Sequence, residues 1–384
     1  MSAYDRNDER TIRAGRRARD WVKSGLLSAE QYERIKPELQ VELRRTNLFL
    51  RLVLFVFSML ILQSVFGLVA IFVDIRNQTP AAILCAVAAV FFFWLAGYLV
   101  TRYRLYRFGI EEAAAVAAIL LMGVSAAVGW SGARGGVNSI IAAGMIGAAA
   151  VAVAVFVRFG YLYAAIAAIA LVTALPFQYG QSEIAPRLAA IVILAVVAAV
   201  TRIKHSEYGD EHPGDTCALL EAGAWVGIYC LVNLQIFTRI DRSSWFYWAT
   251  YAGIWILPLV GLWLSIRGRH RMLLDVSILM LLATLMTNKL YLGSARYPWD
   301  PIVFGLLLMG AAIAIKRWLA AGEDGSRDGF TATRVLASDK ARVGAFSIAS
   351  LAHPAASDPQ PASAPADPIG GGGRSGGAGA SGSF

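Results

Sequence analysis

Two carboxylates, Glu221 and Asp275, lie a few residues inside long apolar stretches of the chain. A charged side chain at the centre of a bilayer costs at least about 2.5–3.5 kcal/mol, so it normally marks a transport pathway or an ion pair. The two stretches are expected to run in the same direction, which places both carboxylates at similar shallow depths. Paired in this way, they would line a vestibule that binds a cation or carries a proton.

The alternative interpretation is that both carboxylates are interfacial. Acidic side chains in the first turn of a helix are stabilised by the positive end of the helix dipole. Glu111 and Glu112 open another apolar stretch in the same way. Their position favours the interfacial alternative for Glu221 and Asp275.

Asn233 and Pro258 are two further candidates for a polar pathway. Asn233 lies toward the far end of the stretch that holds Glu221, where its amide would coordinate a solute. Pro258 lies inside the next stretch, and broken helices mark the binding sites of many transporters. Both also have a structural interpretation, because polar side chains hydrogen-bond neighbouring helices and membrane helices tolerate proline where neighbours satisfy the freed carbonyl.

The elements that must position these residues are ten apolar stretches, each near the roughly 20 residues that a helix needs to cross a bilayer. The chain of 384 residues is 57% hydrophobic and 16% charged, with a mean hydropathy of +0.55, whereas soluble domains carry about 25% charged residues. The sequence therefore predicts an all-α, polytopic transmembrane bundle over residues 48–319. The predicted spans are residues 50–73, 80–100, 111–130, 137–157, 160–177, 184–202, 216–237, 245–266, 272–292 and 299–319.

The fourth and fifth spans are separated by a very short connection. Residues 157–160 alone join them, which predicts either a tight helical hairpin or one broken element. On the fourth span, Gly144, Ala148 and Ala152 form a ridge of small residues. Such a ridge suits close helix packing within the bundle, with oligomerisation as the alternative.

Basic residues predict the orientation of the bundle. Short cytoplasmic loops are enriched in Lys and Arg, and every second loop here is the more basic one, as at residues 102–107 and 267–271. An even number of spans then leaves both termini in the cytoplasm. Arginine kept on one side of the membrane also explains the net charge of +9, so the sequence predicts no nucleic-acid partner.

Residues 1–47 precede the first span and predict a basic helical hairpin in the cytoplasm. Residues 8–24 have an amphipathic helical pattern, and the spacing of Ser28 and Gln31 is a capping box that begins a second helix continuing toward Leu43. Clustered basic residues beside a span are attracted to anionic lipid headgroups. The hairpin would therefore bind such headgroups or a cytoplasmic protein, or would serve only as an anchor that fixes orientation.

Within this hairpin, residues 21–32 (WVKSGLLSAEQY) resemble the opening of a family of prokaryotic multi-pass membrane proteins known only as a domain of unknown function. The shared pattern is a tryptophan, a Gly-Leu-Leu turn, a helix-capping serine and an acidic-Gln pair, followed by many spans. Here these residues are Trp21, Gly25, Ser28 and Glu30 with Gln31. The resemblance implies a prokaryotic cytoplasmic (inner) membrane and no particular activity.

The segments after the last span are predicted to be soluble. Residues 320–352 include an amphipathic pattern that would lie at the membrane surface. Residues 353–384 are rich first in Pro and Ala and then in Gly and Ser. Such a composition buries too little apolar area to fold, so a disordered tail is expected.

No catalytic, metal or nucleotide motif accompanies the spans, so the sequence predicts no cofactor, no metal site and no enzymatic activity. Cys85, Cys217 and Cys230 lie in or beside apolar stretches, where free cysteine behaves as a small hydrophobe. The lipid bilayer is the one partner that composition alone implies. The favoured function is a structural or interaction component of the membrane, and the alternative is a small-solute or ion transporter.

Overall fold

The computed structural model of the chain covers the N-terminal hairpin and the apolar stretches. The predicted amphipathic segment lies largely outside the described residues, and the predicted disordered tail lies entirely outside them. The described residues are 4, 6–41, 43–44, 46–73, 77–132, 136–180, 184–208, 216–237, 244–268, 270–293, 297, 299–322, 326–327 and 330–331.

The N-terminal hairpin consists of α1 (Arg6–Lys23) and α2 (Ala29–Ile35). The predicted capping box at the start of α2 is confirmed. The hydroxyl of Ser28 accepts a hydrogen bond from Gln31 N at 3.1 Å, and Ser28 N donates to Gln31 Oε1 at 2.9 Å. Gly25 makes the turn between the helices with φ +76°, a conformation that glycine adopts without steric cost.

The second helix of the hairpin ends earlier than predicted and does not continue toward Leu43. Pro37 has no backbone N–H and cannot extend the hydrogen bonding of α2. The chain instead forms a 3-10 turn at Lys36–Leu39 and becomes extended at Gln40.

Nine helices in the described part of the chain are long and apolar enough to cross a membrane, which confirms the predicted all-α transmembrane bundle. In chain order they are α3 (Leu48–Ile71), α4 (Gln78–Tyr103), α5 (Ile110–Ser131), α6 (Val137–Phe159), α7 (Leu162–Ala174) continued by the single turn α8 (Pro176–Tyr179), α9 (Ile184–Tyr208), and, beyond the seventh predicted span, α12 (Trp245–Gly268), α13 (Arg271–Leu292) and α14 (Asp300–Ala320).

The seventh predicted span is a helix with a break. It consists of α10 (Thr216–Val232) and the single turn α11 (Leu234–Phe237), with Asn233 between them. At 17 residues, α10 alone is at the lower limit of a transmembrane helix. After α14, β1 (Ser326–Arg327) pairs antiparallel with β2 (Phe330–Thr331).

The helices α3 to α7 pack together around Phe159 and Tyr161, and α9, α10, α12 and α13 pack around Tyr229, Tyr247 and Tyr291. We call these groups the first and second bundles. The most apolar windows of α3 and α14 both have none of their residues buried against the rest of the described chain, although α3 still packs against α5.

Within the first bundle, α5 and α6 approach closely along small residues. A Cβ atom built on Gly123 would lie 3.1 Å from Ala148 Cβ, and one built on Gly147 would lie 2.7 Å from Ala126 Cβ. The predicted ridge on α6 is thus used for packing inside the bundle. The chain ends α6 at Gly160, which has φ +68°, and turns tightly there into α7. The two helices therefore form the predicted helical hairpin.

The N-terminal hairpin is attached to the first bundle through both backbone and side chains. Arg44 N donates to Arg104 O at 3.0 Å, and Tyr106 N donates to Arg44 O at 3.1 Å. Ile12 of α1 is 2% exposed and belongs to the same apolar cluster as Phe159. These contacts place α1 across the end of the first bundle at which α4 ends and α5 begins.

Candidate functional site

The candidate residue Glu221 lies near the start of α10 and is 1% exposed. Its Oε1 accepts a hydrogen bond from Arg202 Nη1 of α9 at 3.2 Å, and its Oε2 lies 4.0 Å from His270 Nε2. Arg202 also donates to Leu264 O of α12 at 3.5 Å. The buried carboxylate therefore has a cationic partner, and the pair links three helices.

Asp275, the second candidate carboxylate, lies half-buried on α13, five residues after His270. The contacts described for Glu221 are with Arg202 and His270, so a vestibule shared by Glu221 and Asp275 stays a prediction. Arg202, the partner of Glu221, was not among the residues selected from the sequence. The available signal was the spacing of 19 residues across a helix–loop–helix connection, which brings the ends of two antiparallel helices together.

Asn233 lies at the break between α10 and α11 and is 0% exposed. Its side-chain amide donates to Tyr229 OH at 3.1 Å and to Thr287 Oγ1 at 3.0 Å, and its Oδ1 accepts from Gln235 N at 3.2 Å. These bonds occupy both amide hydrogens and the amide oxygen inside the second bundle. In this arrangement Asn233 joins α10 to α13, the structural use that sequence reasoning weighed against solute binding.

The backbone at this break is completed by Tyr291, which is 0% exposed. Its hydroxyl accepts from Leu234 N at 2.7 Å and donates to Val232 O at 3.3 Å. Tyr247 OH in turn donates to Tyr291 O at 2.7 Å. One side chain of α13 thus satisfies backbone groups on both sides of Asn233, as a non-aqueous environment requires.

Pro258 lies in the middle of α12 and removes a helical hydrogen bond. It has no N–H to donate to the carbonyl four residues earlier, which is Ile254 O. Thr284 Oγ1 of α13 lies 2.7 Å from Ile254 O and 2.9 Å from Met280 O, and it donates its single hydrogen to these two carbonyls. Tyr229 OH, 2.9 Å from Thr284 Oγ1, then acts as the donor to that oxygen, because a hydroxyl has only one hydrogen.

A second polar cluster, which sequence reasoning did not select as a site, lies at the start of α5. Glu111 and Glu112 are 0% and 4% exposed. Both Glu112 carboxylate oxygens accept from Arg51 of α3, Oε2 from Arg51 Nε at 2.7 Å and Oε1 from Arg51 Nη2. Glu111 Oε1 accepts from Phe108 N at 2.6 Å, which is the helix-start role expected for these acids.

The N-terminus reaches the same region through Tyr4, whose ring packs edge-on against Tyr106 with centroids 5.0 Å apart. The hydroxyls of Tyr4 and Tyr161 are 3.0 Å apart and hydrogen-bonded. Burial raises the pKa of Tyr4, and burial also raises the pKa of Tyr161 well above its ordinary value. A tyrosine hydroxyl is protonated at neutral pH even without such a shift, so this hydrogen bond is maintained there.

The cluster at α5 borders a cavity of 290 Å³ between α3 and α5, lined by Arg51, Glu112 and Tyr163 together with apolar side chains. Glu111 Oε2 and Tyr163 OH are buried without a hydrogen-bond partner among the described residues. No three His, Cys, Asp or Glu side chains within the described ranges are grouped so that they could hold a metal ion. The chemistry available here is hydrogen bonding and ion pairing.

Comparisons with protein-family models, with curated proteins and with solved structures gave no match for this chain.

Proposed function

We propose that the protein is an interaction component of a prokaryotic cytoplasmic membrane, with both termini in the cytoplasm and α1 as the surface that binds a cytoplasmic protein. The observation that carries this proposal is the attachment of α1 to the first bundle through Tyr4 and Ile12. A helix that only fixed orientation would need positive charge and no such attachment.

The attachment leaves the basic face of α1 exposed. Because Ile12 and Ala18 are buried against the rest of the chain, the opposite side of the helix faces outward. Its position across the ends of the helices, rather than beside them in the lipid, favours a protein with an acidic surface over a lipid partner. Among the side chains of α1 that the structure describes, the exposed basic ones are Arg10, Arg16, Arg17, Arg19 and Lys23.

The test is capture of acidic cytoplasmic proteins by the full-length protein in nanodiscs, compared with the charge-reversed variant Arg16→Glu/Lys23→Glu. We expect the variant to lose salt-sensitive capture, because both side chains are exposed on α1 and Coulomb attraction between exposed charges is screened by salt. Arg34→Glu/Lys36→Glu on the second helix and its following turn is the matched control for loss of positive charge. Capture that persists after deletion of residues 1–45 would refute the proposal.

A small-solute or ion transporter is the second candidate, favoured by one observation. The break of α10 at Asn233 lies among polar side chains of α13, and discontinuous helices supply the binding sites of many transporters. Proteoliposomes should then show proton or cation flux that Glu221→Gln and Asp275→Asn abolish. Thr173→Val on α7 serves as a control substitution. Reconstituted protein without flux that depends on these carboxylates would sink this candidate.

A further inference from the structure

A pocket of 540 Å³ lies where α4 ends, and it is lined by three arginines and two tyrosines. Among the residues that the structure describes, the five that line the pocket include no acidic side chain, so they concentrate positive charge there. It is separate from the ion pairs of Glu221 and Glu112. The lining residues are Arg44, Tyr98, Arg102, Tyr103 and Arg104.

The backbone around the pocket brings the three arginines together from two segments. Arg44 comes from the extended chain before α3, and its N–H donates to Arg104 O at 3.0 Å. Arg104 ends α4 with φ +54°, a left-handed conformation that is uncommon for a residue other than glycine. Such conformations persist only where surrounding contacts hold them, and they cluster at binding sites.

A column of exposed aromatic rings on α4 leads into the pocket. The ring centroids of Phe91 and Trp94 are 6.1 Å apart, those of Trp94 and Tyr98 are 5.4 Å apart and stacked, and those of Tyr98 and Tyr103 are 6.1 Å apart. All four rings are between 41% and 59% exposed. From Phe91 to Tyr103 the column rises about 18 Å along the helix, slightly more than half of the roughly 30 Å hydrocarbon thickness.

We propose that this pocket binds the phosphate headgroup of an anionic phospholipid, whose acyl chains lie along the aromatic column of α4. Arginine binds phosphate oxygens through two parallel hydrogen bonds, and tyrosine and tryptophan favour the interface between headgroups and acyl chains. Basic pockets beside membrane helices bind anionic headgroups in this way. A soluble phosphate compound would use the arginines but would gain nothing from rings that face the lipid.

The test is native mass spectrometry of the full-length protein with added phosphatidylglycerol, and with phosphatidylcholine as the zwitterionic comparison. Arg102→Gln/Arg104→Gln should weaken phosphatidylglycerol binding by about fivefold for each arginine removed. The matched control is Arg34→Gln/Lys36→Gln, which removes two exposed charges from the second helix and its following turn and should leave the lipid affinity unchanged. Equal losses in the two variants would overturn the proposal, because they would show attraction to overall charge rather than to a site.

Two further measurements distinguish a lipid from a soluble phosphate. Trp94→Ala should weaken phosphatidylglycerol binding, because it removes a ring from the column while leaving the arginines in place. Inorganic phosphate at millimolar concentration should fail to displace the lipid. Displacement by phosphate together with unchanged lipid binding in Trp94→Ala would identify a soluble anion site and overturn the lipid assignment. The thermal midpoint of each variant in detergent verifies that it has folded.

Discussion

The hydroxyl of Thr284 donates a hydrogen bond to a backbone carbonyl of α12 that has no N–H partner within its own helix. Pro258 frees Ile254 O, and Thr284 Oγ1 donates to it at 2.7 Å. The same oxygen accepts from Tyr229, which itself accepts from Asn233. Asn233 therefore begins a chain of hydrogen bonds that ends on the carbonyl freed by Pro258. Each bond in such a chain polarises the next.

Replacing this hydroxyl should destabilise the second bundle. Thr284→Val keeps the side-chain volume but leaves Ile254 O unsatisfied, which costs about 1–3 kcal/mol. The measurement is the change in thermal midpoint in detergent. Thr173→Val is the control, because the Thr173 hydroxyl donates to Ile169 O within its own helix and that carbonyl keeps its helical partner.

A double-mutant cycle with Pro258→Ala tests the cause of this loss. Alanine at position 258 restores an N–H that bonds Ile254 O, so Thr284→Val should cost less in this background. An unchanged cost would show that the freed carbonyl is not what Thr284 serves, and that its contact with Tyr229 accounts for the effect.

The ion pair between Arg51 and Glu112 makes a different prediction. Arg51→Leu leaves Glu112 buried without its cation, beside the buried Glu111, and should cost about 3 kcal/mol of stability. The double variant Arg51→Leu/Glu112→Leu removes both charges and should be more stable than Arg51→Leu alone, as thermal midpoints would show.

An exposed ion pair provides the control for the Arg51 prediction. Lys36 and Glu33 are joined at 2.9 Å, with side chains 47% and 63% exposed. Lys36→Leu should change stability by less than about 1 kcal/mol, because water and salt screen exposed pairs. The argument that burial makes the unpaired Glu112 costly would be contradicted if Arg51→Leu/Glu112→Leu were less stable than Arg51→Leu alone.

At the scale of elements, the loop between α4 and α5 depends on close contact between two backbones. A Cβ atom on Gly109 would overlap Arg51 O and would lie 3.1 Å from Phe55 N, both in α3. Gly109 also has φ +111°. The position of α3 against the start of α5, and with it the Arg51–Glu112 pair, requires the absence of a side chain here.

Gly109→Ala should therefore cost more than an alanine placed at another glycine with positive φ. At Gly25, where φ is +76° and nothing lies within 4 Å of an added Cβ, alanine should cost only the backbone term of about 1–2 kcal/mol. At Gly109 a steric cost of about 1–3 kcal/mol is added. Thermal unfolding of the two variants compares these costs directly, and equal losses would refute the steric argument.

At the scale of the whole molecule, α10 and α11 decide the number of crossings. Nine of the described helices have membrane length, and the broken segment at residues 216–237 must be the tenth if both termini are to share one side. Its backbone is satisfied across the break by Tyr291. A broken helix with this support is compatible with a full crossing of the bilayer.

A topology measurement tests that arrangement. We expect a reporter that fluoresces only in the cytoplasm to be active when fused after Leu319 and inactive when fused after residue 240. The same reporter fused after residue 212, in the loop before α10, should fluoresce, because basic loops stay in the cytoplasm. A reporter active after both residue 212 and residue 240 would show that α10 and α11 do not cross.

The sequence by itself determined the fold class, the approximate limits of the spans and the capped start of α2. These features are local: apolar length predicts a membrane helix, and Ser28 with Gln31 needs only three residues of spacing to form a capping box. The sequence also offered a structural interpretation of Asn233 and Pro258 beside the interpretation as a transport pathway. The prediction of ten continuous spans missed the break at Asn233, because the break depends on hydrogen bonds from another helix.

Only the tertiary structure decided which residues became partners. Arg202 with Glu221, Arg51 with Glu112 and Thr284 with the carbonyl freed by Pro258 each join different helices. The same holds for Tyr4, which is far from Tyr161 in sequence but hydrogen-bonded to it. Apolar patterning fixes which segments enter a bilayer, whereas the rotation and neighbours of each helix depend on packing between side chains distant in the chain.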